Sequence, residues 1–339
     1  MTPCPRAPAE GTSGGQPEGS ELDSLPSLLY ISTKEKKMNL KKIGREGLIK
    51  READGSVTVM VKGVGYVADL PGVSCLNPEA AEGERVYTKV FKRKPIYLPH
   101  EYDRAVREIL KGTDVVVLGM NGYSSLTEQK CREWGVRPGA YEAACAGILE
   151  RVIAELEASY PGVDVRLAHG ASGMGVDGVI LGVAAKLNKR QLGHSCPRFM
   201  FYVEDDEVPV YVGKTQVDYA NAFIDSLDVL VAANGREQAF RHDINAVFDK
   251  GKHVIPVNVL RSISTTGGPP ALNGDGKIED AVAYFEQRVH LMYRAFTGTG
   301  DPFRDIVNHV IEEVRQISRL LISPNRAFSA ESVASLRNS

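Results

Sequence analysis

The stretch VDVRLAHGASGMGVDGVILGVAAKL, Val163 to Leu187, decides how this chain folds. Its first residues (Val163, Val165, Leu167, Ala168) form a short apolar run, the pattern of a buried strand. His169 to Gly175 is a glycine-rich turn, and Val176 to Leu187 sets small and aliphatic residues at helical spacing, with Lys186 at the basic end. Strand, glycine turn and helix together bring backbone N–H groups and a helix N-terminus to one point, an arrangement suited to an anion, usually a phosphate. Gly170, Gly173 and Gly175 read G-x-x-G-x-G. That is neither the dinucleotide G-x-G-x-x-G nor a P-loop, which needs a Gly-Lys-Ser/Thr end. A tight strand-to-helix connection with no ligand is the alternative reading.

Working outward, the same alternation repeats. Asp114 to Leu118, Leu227 to Ala232 and His253 to Val257 are continuous apolar runs, as expected of strands covered on both faces. Tyr141 to Tyr160 puts Ala144, Ile148, Val152, Ile153 and Leu156 on one helical face. Arg198 to Val203 reads as another strand, Val208 to Val212 as a short extra one, and Asp218 to Asp225 as a helix. Strands and helices recurring at roughly 30-residue intervals predict βαβ units with right-handed crossovers. The expected fold is α/β, a Rossmann-like doubly wound and mainly parallel sheet. The short alternating runs between Lys41 and Pro99 predict a small β-rich extension ahead of it. The expected divisions are a disordered tail over 1–38, the extension over 39–99, the Rossmann-like domain over 100–322 and a frayed tail over 323–339. Ser262 to Gly276 is too long for a simple connector and reads as a lid or an ordered surface loop. Ile278 to Phe296 and Pro302 to Leu321 read as further amphipathic helices.

The chain has 339 residues and a net charge of −2, which gives no reason to expect nucleic acid or an anionic membrane as partner. No apolar run approaches the roughly 20 residues needed to span a bilayer, and the start lacks the basic-then-apolar pattern of a secretory signal. The five cysteines (Cys4, Cys75, Cys131, Cys145, Cys196) are widely spaced without C-x-x-C. Reduced thiols in a cytoplasmic setting fit that pattern, and neither a metal site nor a cofactor is expected. Lys92-Arg93-Lys94 and Asp205-Asp206-Glu207 read chiefly as solvated loops.

In open α/β sheets, ligands sit beyond the carboxyl ends of the strands. Three loops qualify. Gly119, Asn121 and Ser124 follow the first central strand. Gly170, Ser172, Gly173, Met174 and Gly175 belong to the glycine turn. Asn234, Gly235, Arg236, Glu237, Arg241 and Asp243 follow the strand from Leu227. Together they outline a nucleotide-sized cleft for a small molecule. Arg236 or Arg241 suits a phosphate or carboxylate. Glu237 or Asp243 suits ribose hydroxyls, or work as a base or nucleophile. The alternative is that Arg236, Glu237 and Arg241 are solvated on a helix surface.

At these residues the chain resembles the Rossmann-like LOG/SLOG superfamily: lysine-decarboxylase-like nucleotide phosphoribohydrolases, their nucleotide-sensing relatives and, more distantly, nucleoside deoxyribosyltransferases. The group's G-G-x-S-x-G-type turn looks like His169 to Gly175, its later P-G-G-x-G-T-x-x-E loop is similar to the region from Asp228 to Gly235, and its closing G-K-x-V resembles Gly251-Lys252-His253-Val254. The resemblance covers about residues 113 to 260. It implies nucleotide binding, cleavage or transfer at an N-glycosidic bond, and a homodimer as the common oligomeric state. The departures are specific. Ala233 and Asn234 stand where the family has Pro and its first Gly, Glu237-Gln238 replaces Gly-Thr, and Arg241 falls on the helix glutamate tied to glycosidic cleavage. Glycosidic cleavage passes through an oxocarbenium-like state that a carboxylate stabilises. Without one in reach, a site of this kind binds without cutting, as in a nucleotide sensor.

Overall fold

The computed structural model describes residues 43, 47–237, 239–284 and 312. The expected N-terminal tail, most of the two helices expected after Ile278, and the C-terminal tail lie outside the described residues.

The described chain opens with β1 (Leu48–Arg51), β2 (Val57–Lys62), β3 (Val73–Cys75) and β4 (Val86–Phe91). They form an antiparallel sheet in the order β1-β2-β4-β3. The β1–β2 hairpin turns at Asp54-Gly55, where the Ser56 N–H and hydroxyl both donate to Asp54 Oδ1 at 3.0 and 2.6 Å. Alternation does the rest: Val57, Val59 and Val61 are buried and pack with Phe91, Met200 and Phe201. Gly63 to Ala68, after β2, holds a 3₁₀ turn, Gly65–Val67, and β2 pairs with β1 and β4.

The basic and acidic clusters of this region pair with each other while Lys92, Arg93 and Glu207 stay exposed, and only Lys94 is buried. Asp205 accepts the backbone N–H groups of Lys92, Arg93 and Lys94 at 2.9–3.1 Å, and Lys94 pairs with Asp206 and donates to the Val208 carbonyl at 3.0 Å. Burial lowers the Lys94 pKa, against the pull of Asp206.

β5 (Ile96–Tyr97) crosses into the main sheet, and α1 (Tyr102–Ala105) follows, running into a π-helical turn, Val106–Leu110. Next come β6 (Val115–Gly122), α2 (Glu128–Glu133), α3 (Ala140–Ser159), β7 (Asp164–His169), α4 (Gly175–Lys186), β8 (Gln191–Ser195), β9 (Val210–Val212), α5 (Gln216–Ser226) and β10 (Val229–Ala233). A π-helical segment, Ala239–Ile244, leads into α6 (Asn245–Asp249), then β11 (His253–Pro256) and α7 (Val259–Ile263).

The seven strands run β11-β10-β6-β7-β8-β9-β5, and every pairing is parallel. The chain builds outward from β6 to β9, then crosses back to place β10 and β11 on the other side of β6. The reversal between β6 and β10 is the topological switch point of a Rossmann-like, doubly wound sheet. Residues of β6 alternate between two cores. Val116, Leu118 and Met120 face α3 and α4 (Ile148, Leu149, Val152, Ile180). Val117 faces α1, α5 and α6 (Ala105, Phe223, Ile224, Val247).

One strand lies elsewhere than the sequence suggests. Arg198 to Val203 contains a 3₁₀ turn, Met200–Tyr202, and the strand is β8, QLGHS. Its Gly193, His194 and Ser195 hide the β-signal, whereas the aromatic run plugs the core shared with the small sheet.

Lys252 fastens α5 to the sheet. Its ammonium donates to the carbonyls of Ile224, Asp225 and Leu227 at 3.0, 2.7 and 2.6 Å, at a helix end where carbonyls lack intrahelical partners and Ile224 otherwise accepts a longer bond from the Leu227 N–H, at 3.3 Å. Lys252→Met keeps the stem but removes the donor these three carbonyls share. The expected loss is about 2 kcal/mol of unfolding free energy in urea denaturation.

Candidate functional site

A cavity of about 180 Å³ opens at the carboxyl edge of β6 and β7, next to the switch point. Its floor is Met120, Asn121 and Gly122 at the end of β6, continuing into Tyr123 and Ser124. Gly170, Met174, Val176 and Asp177 form one wall, and Tyr219, Ala220 and Phe223 of α5 form another. Asp243 of the π-helical segment closes it. π-Helical turns are frequent at functional sites because the widened turn redirects a side chain.

The glycine turn is held from within. His169 Nδ1 accepts from the Ala171 N–H at 3.0 Å. The Asp177 carboxylate, in the first turn of α4, reaches back to accept the Gly170 N–H at 2.7 Å and the Ser172 hydroxyl at 2.8 Å. A Cβ on Gly170 would stand 2.5 Å from Asp177 Oδ2, so this contact needs glycine. Burial raises the Asp177 pKa, and the Ser172 and Gly170 hydrogen bonds oppose that rise. An internal carboxylate thus lies in the place the sequence suggests for an external anion.

Asp243 is the other acid of the site. Its Oδ2 accepts from Asn121 Nδ2 at 3.1 Å. Burial pushes its pKa up to about 6; Asn121 and nearby His242 pull it down, and Asp177 adds to the rise. A carboxyl group poised near neutrality exchanges protons readily at physiological pH. Asn121 is buried, and its Oδ1 takes no hydrogen bond among the described residues.

Of the residues singled out from the sequence, Asn121, Ser124, Gly170, Met174 and Asp243 meet around the cavity. Ser172 is buried behind it, on Asp177, and Gly173 has open space beside it. Gly175 (φ +51°) is pressed onto the backbone of Tyr123 and Ser124. Gly119 packs beneath Leu227 and Phe223. Asn234 (φ +68°) is fully enclosed: its Nδ2 donates to Asn258 at 2.9 Å and Asp280 at 2.6 Å, and its Oδ1 accepts from the Leu260 N–H at 2.9 Å. The Gly235 carbonyl accepts from the Ala281 N–H. Arg236 is exposed and Glu237 half-buried, and neither lines the cavity. The Arg241 side chain lies outside the described residues.

Sequence reasoning passed over Asp177, Tyr219 and Phe223. Asp177 has a legible signal, an acid in the first turn after a Ser-containing loop. Tyr219 and Phe223 have none, because only the docking of α5 brings them to the cavity. Tyr141, outside the cavity, ties two of its loops: its buried hydroxyl donates to the Ala233 carbonyl and accepts the Tyr123 N–H at 3.1 Å. Among the described residues no group of His, Cys, Asp and Glu is placed to hold a metal ion, and no helix is long and apolar enough to cross a membrane.

No protein-family model and no curated protein matches the chain. Among solved structures it is similar to DNA processing protein A (DprA) from Streptococcus pneumoniae, with a TM-score of 0.31 and 9% identity over 65% of this chain and 70% of that one. At that TM-score the likeness carries no functional argument.

Proposed function

We propose that the chain binds a nucleotide in the switch-point cavity and acts on it there, hydrolysing or transferring at the N-glycosidic bond. The observation that carries this reading is Asp243: a carboxyl group with a pKa near 6, held by Asn121 at the mouth of a cavity at the switch point. Resemblance of the glycine turn and of the loop after β10 to LOG-type phosphoribohydrolases supports it. Asp243 then replaces the family's helix glutamate, steadying the positive charge that develops on the sugar as the base departs. A homodimer belongs to the same proposal.

Incubation with a panel of nucleosides and nucleoside monophosphates, followed by chromatography for free base, tests it. Base release is expected from at least one member. Asp243→Asn is expected to lower it about 100-fold, within the range for removing a general acid or base. Glu237→Gln is expected to leave it within about threefold, because Glu237 does not line the cavity. If no member releases base and none raises the melting temperature, the nucleotide reading fails.

A second reading, a non-catalytic nucleotide sensor, draws on a different observation: Arg241 stands where the LOG-type helix glutamate falls. On that reading a nucleotide shifts the melting temperature and changes the assembly state without releasing base.

A further inference from the structure

Two acceptors stand out among the hydrogen-bonding groups of the cavity, beside the Ser124 and Tyr219 hydroxyls that also line it. The acceptors are Asp243, which gives one oxygen to Asn121, and Asn121 Oδ1, buried without a partner among the described residues. Asp177 adds a second carboxylate to the wall. The amide that opens the glycine turn and the Ser172 hydroxyl, groups that would receive a phosphate, are already bonded to Asp177. A phosphate entering here would face two carboxylates, no lining Lys or Arg among the described residues, and a turn whose Gly170 amide and Ser172 hydroxyl are already taken by Asp177. A group rich in O–H donors would instead meet two waiting acceptors. Size points the same way. At about 180 Å³ the cavity is smaller than the roughly 300–1,000 Å³ that encloses a drug-sized ligand, so it takes one ring of a nucleotide and leaves the rest outside. Phe223, Met120 and Val176 supply apolar walls for the face of that ring.

We infer that the cavity takes an uncharged sugar ring through a vicinal diol that donates to Asp243 and Asn121, and that any phosphate on the ligand lies outside. The inference rests on the nucleotide reading above only for what is attached to the sugar.

Isothermal titration of the full chain with uridine and adenosine, their 2′-deoxy counterparts, their 5′-monophosphates, D-ribose and inorganic phosphate tests it. The ribonucleosides are expected to bind at least about tenfold tighter than the 2′-deoxy forms, the loss expected when a buried polar acceptor goes unmatched. The monophosphates are expected to bind no tighter than the nucleosides, and inorganic phosphate to give no binding heat. Equal binding of the deoxy forms, tenfold tighter binding of the monophosphates, or binding of phosphate alone overturns the inference while leaving nucleotide recognition standing. Binding of D-ribose without any nucleoside or nucleotide supports it and overturns the nucleotide reading. Binding of none of these overturns both.

Two variants sharpen the outcome. Asp177→Gly frees the Gly170 amide and the Ser172 hydroxyl and is expected to make inorganic phosphate bind; Asp177→Asn keeps them taken and is expected not to. Phosphate binding to both variants or to neither counts against a turn closed by Asp177. If Asp177→Gly does not fold, the wild-type ligand series decides alone.

Discussion

Gly175→Ala is expected to cost at least about 3 kcal/mol of unfolding free energy, although Gly175 is only the first residue of α4. Two effects add. The residue has φ +51°, where a Cβ carries a penalty of about 1 kcal/mol or more. The new methyl would also lie 2.5 Å from the Ser124 carbonyl carbon and oxygen, and closer still to the Tyr123 oxygen. These are backbone atoms, so no rotamer change relieves the overlap. Overpacking of this kind costs about 1–3 kcal/mol, and more when the surroundings are stiff. They are stiff here, because the Tyr123 N–H is fixed by Tyr141. Gly182→Ala, in the same helix with open space around the new methyl, is the control. It is expected to be neutral or to stabilise by up to about 1 kcal/mol. Urea denaturation of both variants measures the difference, and a Gly175→Ala loss below about 1 kcal/mol contradicts the packing described.

Acid is expected to destabilise the chain from about pH 6.5 downward. His169 at the end of β7 and His194 in β8 are fully buried, and burial first of all lowers each pKa to about 3. Folded, both stay neutral; unfolded, both take up a proton near the ordinary value of about 6.5. Below about pH 6.5 the unfolded chain therefore binds more protons, and stability falls with pH by about 1.4 kcal/mol per unit for each histidine. Asp243 acts oppositely. Its pKa is raised to about 6, so between about pH 6 and 4 the folded chain holds the extra proton and gains stability as pH falls. At pH 4.5 these two histidines remove about 5 kcal/mol and Asp243 returns about 2, a net loss of about 3 kcal/mol from the three groups; Asp177, raised by burial, acts with Asp243, and His253, lowered by burial, acts with the two histidines. Urea midpoints at pH 7 and 4.5 test the sum. His194→Leu, which keeps an apolar side chain among Tyr211 and Phe223, is expected to remove about half of the histidine contribution. A midpoint that does not move over that interval shows that the imidazoles are solvated.

These histidines also mark where the sequence stops being legible. The parallel sheet is readable because β6, β10 and β11 carry continuous apolar runs and β7 a short apolar one, the composition usual in a strand covered on both faces. β8 carries a histidine, a glycine and a serine in five residues, so its strand character comes from its neighbours rather than from its own side chains. The aromatic run that follows looks more like a strand than β8 does, yet its side chains fill a gap between two sheets that no local pattern records. The site divides likewise. Loops at the ends of readable strands were found because topology places them, and Asn121, Gly170 and Asp243 come with them. What each polar group binds was not readable. Asn234 stands at a loop position suited to a ligand, but it is turned inward by Asn258 and Asp280, 24 and 46 residues further along the chain.

The buried Tyr141 hydroxyl has a mechanical meaning. The line between β6 and β10, where the strand order reverses, is closed by the strand ladder and by the two cores that span it. Tyr141 rivets that line at the carboxyl end, on one side to the Ala233 carbonyl and on the other to the Tyr123 amide. The slot above it therefore cannot open like a book without exposing two buried polar groups. The pinned sheet edge is thus one fixed side of the cavity, and Tyr219, Ala220 and Phe223 of α5 with Asp243 of the π-helical segment stand on the other.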